Sequence, residues 1–233
     1  MKAFVLNLKR RKDRKKHVRA QLPEYFETFF TSDWDGPMDG KYLTDEMLEE
    51  YGFSLFPWEI QSDNHFWNRP MSKGEIGCSI SHWMCWEKAA SFNDPQYVFL
   101  EDDALLGPTF GEDLPGVVSR LSVADEAWDL LFLGRSPRAA DEGRVGEFVK
   151  PGFSYGTHAY MLSRAGVEKL LATRFPADLI PADEFLPAMY MDHPRPDVRA
   201  RYPKRLRAYS VDPLLCSVEY RLGTDIKDSD PLP

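Results

Sequence analysis

Tyr97-Val98-Phe99-Leu100 runs directly into Glu101-Asp102-Asp103. The first four residues are apolar, two of them aromatic and one β-branched, and they read as a fully buried strand. Three carboxylates at its end cannot stay buried without a compensating cation. Open α/β sheets hold ligands in the crevice at the carboxyl ends of their strands. The strand is therefore expected to deliver hard oxygen ligands into a cleft. Such ligands suit Mg²⁺ or Mn²⁺, and Mg²⁺ is usually held by one or two carboxylates together with substrate phosphates. Taken alone, the acidic triplet reads equally as a solvated turn. The flanking sequence separates the two.

Ala3-Phe4-Val5-Leu6-Asn7-Leu8 repeats the buried-strand pattern and ends at a basic run. Residues 12–22 read as a helix that stops before Pro23, and residues 31–40, rich in Asp and Gly, as a loop. Thr44 N-caps a short helix that Gly52 ends. Residues 53–70 hold Trp58, Trp67 and further aromatics between prolines, and read as an ordered loop. Ser72-Lys73-Gly74-Glu75 has the form of a capping box. It opens a helix running to about Phe92, where Asn93-Asp94-Pro95 stops it. On that helix Ile76, Ile80 and Trp83 form an apolar stripe. Glu75, Ser79, His82 and Trp86 form a neighbouring stripe of mixed chemistry that packing alone does not require, the capping role of Glu75 apart.

Trp128 to Leu133 reads as a third apolar strand closed by Gly134-Arg135, and Ser154 to Leu162 as another. Ser163 caps a helix bearing Val167, Leu170 and Leu171. Residues 181–189 read as a short acidic helix or turn, and Leu206 to Val211 as a last strand. From Gly223 the tail is polar and acidic, and is expected to be mobile. Strands alternating with helices predict a layered α/β fold. With no repeat, low-complexity segment or linker, residues 1–233 read as a single domain.

A chain of 233 residues, 43% hydrophobic with six tryptophans, suits one such domain with a substantial core. No apolar run approaches the roughly 20 residues that span a bilayer. Met1 to Leu6 holds too short an apolar core for a secretory signal, so a cytoplasmic chain is expected. The three cysteines cannot all pair. Cys78 and Cys85 lie two helical turns, about 10 Å, apart, and all three are expected to be reduced and packed. No CxxC occurs, so zinc-finger spacing is missing. The net charge of −8 argues against a nucleic-acid surface. Yet Lys9 to Arg19 holds eight basic residues and one acidic one, which leaves −15 for the remainder. Such a run reads as a nucleic-acid or anionic-surface contact, as the solvated face of a helix, or as a source of arginines facing a bound phosphate.

Gly152-Phe153-Ser154-Tyr155-Gly156 matches GxSxG, but the nucleophile elbow needs a helix after it, and the strand-like Thr157 to Leu162 follows instead. The glycines, Gly156 among them, are read as permitting close backbone approach to a ligand. Neither GxxxxGK[ST] nor GxGxxG occurs, so a bound nucleotide diphosphate would need a metal and arginines. Asp183-Glu184 reads either as acidic charge complementing a helix N-terminus or as a general base or further metal ligand facing the first acidic cluster.

Val5 to Arg14, Asp39-Gly40, Ser72 to His82 with Trp86, and Val98 to Asp103 together resemble glycosyltransferase family 25, which includes bacterial lipooligosaccharide galactosyltransferases and the procollagen galactosyltransferases. The second half is most similar to the collagen-modifying branch, through Trp128 to Arg135, Thr157-His158-Ala159-Tyr160, Pro181 to Met189, Ala208 to Leu215 and Asp228-Ser229-Asp230. The resemblance spans nearly the whole chain in order. It implies a GT-A-like fold with a mixed central sheet flanked by helices, a UDP-sugar donor (galactose or glucose), Mn²⁺ or Mg²⁺, and transfer with inversion.

It places Glu101-Asp102-Asp103 at a DxD-like metal motif, with Asp103 contacting the metal, Glu101 toward metal or ribose, and Asp102 at the donor site. Asn7, Arg10, Arg11 and Arg14 are implied to line the nucleotide site, with Glu75, Ser81 and His82 near the donor. Asp183 or Glu184 is the implied base. His158, Asp183 and Asp225 remain open as completing metal ligands. The implied acceptor is a hydroxylysine of a collagen-like protein or a sugar of a surface glycan. A catalytically silent UDP-sugar- or collagen-binding relative is the alternative, while nucleic-acid binding through residues 9–19 conflicts with the acidic balance. Animal collagen enzymes carry a signal peptide, a second transferase-like domain and a retention sequence. None is recognised here, which suggests a bacterial or viral single-domain relative.

Overall fold

The structure, a computed structural model, describes residues 1–226. Its strands are β1 (Lys2–Leu6), β2 (Glu27–Phe30), β3 (Gln96–Glu101), β4 (Ala104–Leu106), β5 (Leu130–Pro137), β6 (Gly143–Val145), β7 (Phe148–Lys150), β8 (Ser154–Ser163), β9 (Ala208–Ser210) and β10 (Cys216–Val218). Its α-helices are α1 (Lys12–Arg19), α2 (Asp45–Glu50), α3 (Lys73–Ala90), α4 (Phe110–Ala124), α5 (Arg164–Leu171), α6 (Ala182–Tyr190) and α7 (Pro196–Arg201). Eight strands form one mixed sheet in the order β2-β1-β3-β8-β5-β9-β7-β6, and β4 pairs with β10 in a separate ribbon. β2, β1 and β3 are parallel; β8 runs antiparallel between β3 and β5. This is the helix-flanked mixed α/β sheet expected of a GT-A-like fold.

The central strands are apolar throughout because both faces are covered. Phe4 and Leu6 of β1, Tyr97 and Phe99 of β3, and Tyr160 and Leu162 of β8 join one core with Ile76, Ile80 and Trp86 of α3 and Phe185 of α6. The alternate residues Val5, Val98, Leu100 and Met161 join the opposite core with Val18 of α1 and Leu114, Val118 and Leu121 of α4. Period-two alternation thus persists with apolar side chains on both sides.

Three caps stand where the sequence places them. Thr44 accepts from Met47 N, Ser163 accepts from Gly166 N, and Ser72 with Glu75 forms the reciprocal box, Ser72 N donating to Glu75 Oε2 at 2.7 Å.

Several boundaries differ. β5 does not close at Gly134-Arg135 but runs on to Pro137, its pairing with β8 irregular on both sides of Gly134. The first helix ends at Arg19 and the last predicted strand shrinks to three residues. β2, α4, the β6–β7 hairpin and α7 carry no clear signal in the sequence. In α4, Pro115 with two glycines breaks the helical pattern. The expectation of a loose tail from Gly223 fails for its first residues. Arg14 donates to the Gly223 carbonyl, and Asp225 pairs with Arg10 at 2.5 Å and with Arg11. Residues 227–233, with Asp228-Ser229-Asp230, lie outside the described residues. All three cysteines are free thiols, Cys85 and Cys216 buried. Among the described residues no helix is long and apolar enough to cross a membrane.

Candidate functional site

β1 and β3 are parallel neighbours in which Leu6 pairs with Glu101. The next residues, Asn7 and Asp102, therefore leave the sheet side by side, and Asn7 Nδ2 donates to Asp102 Oδ2 at 2.7 Å. Arg14, on the buried face of α1, donates to Asp102 Oδ1 at 2.8 Å and lies 3.2 Å from Asp103 Oδ2. The acidic triplet is thus at the carboxyl edge of the sheet. Its backbone is anchored from below, Glu219 N donating to the Asp103 carbonyl at 2.8 Å.

Two cavities meet there. One, of about 120 Å³, lies between the end of β1, the start of α3 and residues 224–226, and is lined by Asn7, Arg10, Arg14, Ser81 and the acidic triplet. The other, of about 390 Å³, lies between β8 and the start of α6, with Trp58, Phe66, Tyr155 and Tyr220 beside Glu75, Gly156, His158, Asp183 and Glu184. Cys78, Glu101 and Asp103 line both. A third space of about 480 Å³, walled by Trp34, Asp39 and Tyr42, adjoins the first across Asn7, Arg10 and Met38.

The carboxylates at this junction are held far from their ordinary state. Burial, reinforced by the charges of Asp103 and Asp183, pushes Glu101 up to about 8, although the Thr157 hydroxyl opposes this by donating to Oε1 at 2.6 Å. Burial raises Asp102 to about 6 against the pull of Arg14 and Asn7, and it raises Asp103. The same potential, on top of burial, raises the Cys78 thiol well above its usual range. Among the described residues, three buried polar atoms here have no hydrogen-bond partner: Asp103 Oδ1, Asn7 Oδ1 and Arg14 Nε. Buried polar groups are normally paired, so an orphaned carboxylate oxygen, an orphaned amide oxygen and an orphaned guanidinium N–H suit, respectively, a cation, a hydroxyl and an anionic oxygen.

The second pair, Asp183-Glu184, splits into two environments. Asp183 is half-buried; its Oδ1 accepts from Gly156 N at 2.9 Å, and burial first, then the neighbouring Glu184 charge, raises it to about 6. Glu184 is locked. Its Oε1 accepts from Tyr155 Oη at 2.6 Å and Trp67 Nε1 at 3.2 Å, while Oε2 is 2.7 Å from His193 Nε2. His193 Nδ1 accepts from Arg195 N, so the ring is neutral and donates to Glu184.

Other predicted residues fall less directly on the cavities. Arg11 does not line them; it pairs with Asp13 and Asp225. Arg10 is shared between Asp39 and Asp225. Glu75 caps α3 and takes a bidentate pair from Arg69, at 2.6 and 2.8 Å. Ser81 lines the first cavity but its hydroxyl returns to the Gly77 carbonyl. His82 is wholly buried; its Nε2 is 3.1 Å from Thr157 Oγ1, which bonds Glu101, and 3.9 Å from Glu101 Oε1 itself. Cys78, His82 and Glu101 bring sulfur, nitrogen and oxygen within 4.8 Å of one another, a metal-compatible grouping. Both ring nitrogens of His82 are already engaged, however.

Gly156 approaches not open space but the His158 ring: at φ +83°, a Cβ there would stand 2.8 Å from Nδ1. His158 lines the second cavity with its pKa lowered to about 4 by burial. Ser154 of the GxSxG match is buried and accepts from Arg135, so it is no exposed nucleophile. Sequence reasoning missed Thr157 as the Glu101 partner, and His193 and Tyr155 as partners of Glu184. The alternation Tyr155-Gly156-Thr157-His158 at the mouth of a buried strand was the available signal for the first.

Residues 1–135 match the family profile described as "Glycosyltransferase family 25 (LPS biosynthesis protein)". The chain is 33% identical over 225 residues to a probable inactive glycosyltransferase 25 family member 3 of Bos taurus, covering 94% of this chain and 37% of that protein. It is 34% identical over 218 residues to procollagen galactosyltransferase 1-B of Xenopus laevis, covering 91% and 35%, and 31% identical over 237 residues to a glycosyltransferase 25 family member of Aedes aegypti, covering 97% and 37%. It spans little more than a third of the length of these relatives. With the sheet edge, the acidic junction and these similarities in agreement, the chain belongs to glycosyltransferase family 25.

Proposed function

We propose that this chain transfers a hexose, galactose or glucose, from a UDP-sugar to an acceptor hydroxyl, with inversion and with a divalent metal. The observation that carries the reading is Asp103 Oδ1, buried without a partner at the junction of the two cavities. An unmet buried carboxylate oxygen costs on the order of 1–3 kcal/mol or more, and a hard cation would remove that cost; Asp103 and Glu101 are the residues that would hold it. Bound there, Mn²⁺ or Mg²⁺ would supply positive charge to the diphosphate leaving group. Among the open completing ligands, Asp225 is spoken for by Arg10 and Arg11 and Asp183 by Gly156 N. His158, neutral and with no hydrogen bond among the described residues, is uncommitted.

Arg14, whose Nε–H is without a partner among the described residues, lines the first cavity and supports diphosphate binding. Asn7 and the adjoining space between Trp34 and Tyr42 fit the nucleoside. Asp183 takes the proton of the attacking hydroxyl: a carboxylate raised to about 6 is a better base than an ordinary one and is ionised at neutral pH. Glu184 holds the aromatic wall and is not the base. The second cavity, crowded with carboxylates, favours an acceptor carrying an ammonium group, and the name of the Xenopus relative points the same way, to hydroxylysine in a collagen-like protein. A surface-glycan sugar is the other acceptor, in keeping with the wording of the family profile. Free thiols fit action in a reducing compartment such as the cytoplasm.

A silent binding relative is the second reading. It is favoured by the name of the Bos relative and by the carboxylate and carbonyl partners that Arg10, Arg11 and Arg14 already hold. UDP release from UDP-galactose and UDP-glucose, with Mn²⁺ or with EDTA, and with or without a hydroxylysine-containing peptide, tests both. Metal-dependent release that rises with peptide establishes the transferase and its acceptor; release indifferent to peptide moves the acceptor to glycans. UDP binding without release from either sugar establishes the silent relative.

A further inference from the structure

A line of hydrogen bonds runs from the core to the acidic junction. Trp86 Nε1 donates to Tyr160 Oη at 2.9 Å. Tyr160 Oη is 2.8 Å from His82 Nδ1, and His82 Nε2 is 3.1 Å from Thr157 Oγ1. Thr157 Oγ1 then donates to Glu101 Oε1 at 2.6 Å. The four bonds join α3, β8 and β3, and Trp86, Tyr160 and His82 are all fully buried.

Each direction follows from the one before. An indole N–H can only donate, so Tyr160 oxygen accepts from Trp86; among the described residues its other hydrogen-bond neighbour is His82 Nδ1, and the buried phenol proton is satisfied only by going there. A neutral imidazole that accepts at Nδ1 carries its proton on Nε2. That proton goes to Thr157 oxygen, which leaves the threonine proton facing Glu101. Burial keeps His82 neutral, with a pKa near 3, and keeps the proton on Tyr160. Phe99, stacked on Tyr160 with centroids 5.1 Å apart, holds the phenol ring in place.

We propose that Thr157, His82 and Tyr160 are positioning residues for Glu101: the chain fixes one imidazole tautomer, the tautomer fixes the threonine proton, and that proton holds Glu101 Oε1 and leaves Oε2 to the ligand at the junction. This rests on the reading of Glu101 as a donor- or metal-binding group. Both faces of the arrangement are needed. Without the hydroxyl, Glu101 stays buried and loses the partner that orients it. Without the imidazole, the hydroxyl is free to turn its proton elsewhere.

The test combines nitrogen-15 imidazole spectra of the unliganded protein with Mn²⁺ binding and donor kinetics of three variants. The wild type is expected to show His82 as the Nε2–H tautomer, unchanged across the neutral pH range. Thr157→Val, which keeps the shape and removes the hydroxyl, is expected to weaken Mn²⁺ binding and raise the donor KM by roughly ten- to a hundredfold, the range for a lost bond to a charged group, with a smaller effect on kcat. Thr157→Ser is expected to restore both. Tyr160→Phe is expected to move them in the same direction as Thr157→Val and by less. An Nδ1–H tautomer, a His82 that titrates near neutrality, or a Thr157→Val protein with wild-type Mn²⁺ and donor binding overturns the positioning role. A wild-type protein that shows the Nε2–H tautomer yet binds neither Mn²⁺ nor UDP-sugar overturns the proposed function, and the role of the chain in it.

Discussion

Replacing Asp183 by Asn removes the charge of one carboxylate and little else. The Asn side chain keeps an oxygen for Gly156 N, whose bond to Asp183 Oδ1 is 2.9 Å, so the start of α6 stays in place. What is lost, on the proposed mechanism, is the proton acceptor. A positioned general base contributes roughly 10²–10⁴-fold, or about 3–5 kcal/mol of barrier at 1.36 kcal/mol per decade. The pH profile carries a second signature. With Asp183 raised to about 6, the ionised form is the active one; kcat is expected to fall tenfold per pH unit below that value and to level off above it. In the Asn variant that limb disappears. UDP release under saturating donor and acceptor, from pH 5 to 8, reads both effects. Glu184→Gln is the comparison variant: it sets an amide NH2 against one of the donors Tyr155, Trp67 and His193 and is expected to lower stability while the acid limb persists. An Asp183→Asn enzyme within roughly threefold of wild type, far short of the range for a general base, refutes the assignment. So does a wild-type acid limb that persists in the variant.

Mn²⁺ at about a hundred times its dissociation constant adds about 2.7 kcal/mol to stability, which for a chain of this size raises Tm by roughly 5–10 °C. Asp103→Ala should abolish that rise and metal-dependent turnover while the circular dichroism spectrum is kept; a full thermal shift in the variant would place the metal elsewhere. Gly156→Ala forces φ +83° on a residue with a Cβ and drives it to 2.8 Å from His158 Nδ1. A loss of roughly 1–3 kcal/mol is expected, with activity falling because Gly156 N also holds Asp183; denaturant melts showing an undisturbed midpoint would contradict the close packing. Glu184→Ala leaves a buried imidazole, an indole N–H and a phenol short of an acceptor. It should cost roughly 2–5 kcal/mol, read as a drop in denaturation midpoint, and a neutral result would mean that water replaces the carboxylate.

The elements that carry the site were legible in the sequence because each is marked by something local. β1 and β3 are apolar runs that end in polar chemistry, and α3 announces itself by its capping box. The short strands β4, β6, β7 and β10 were hard to see because three residues give no period, and α4 because Pro115 and its glycines mimic a break. Within the site, residue types were legible and partners were not. Nothing in Asp183-Glu184 as a dipeptide says that one side chain faces a cavity while the other is held by three donors; that difference comes from Trp67, Tyr155 and His193, brought in from three separate segments. Likewise the basic run discloses cations but not their targets. Helical spacing turns Arg14 inward to Asp102, while Arg10 and Arg11 meet Asp225 from the far end of the described chain.

That last contact has a consequence for how the protein comes into being. Arg10, Arg11 and Arg14 leave the ribosome well before Gly223 and Asp225, which lie at the other end of the described chain. Until the late segment emerges, the three guanidinium groups lack the carbonyl and carboxylate that hold them in the finished protein. The edge of the sheet that carries them therefore takes its final shape only after residues 223–225 emerge, and a nascent chain halted before Gly223 can possess the whole eight-stranded sheet while these arginines hold only part of their final set of partners.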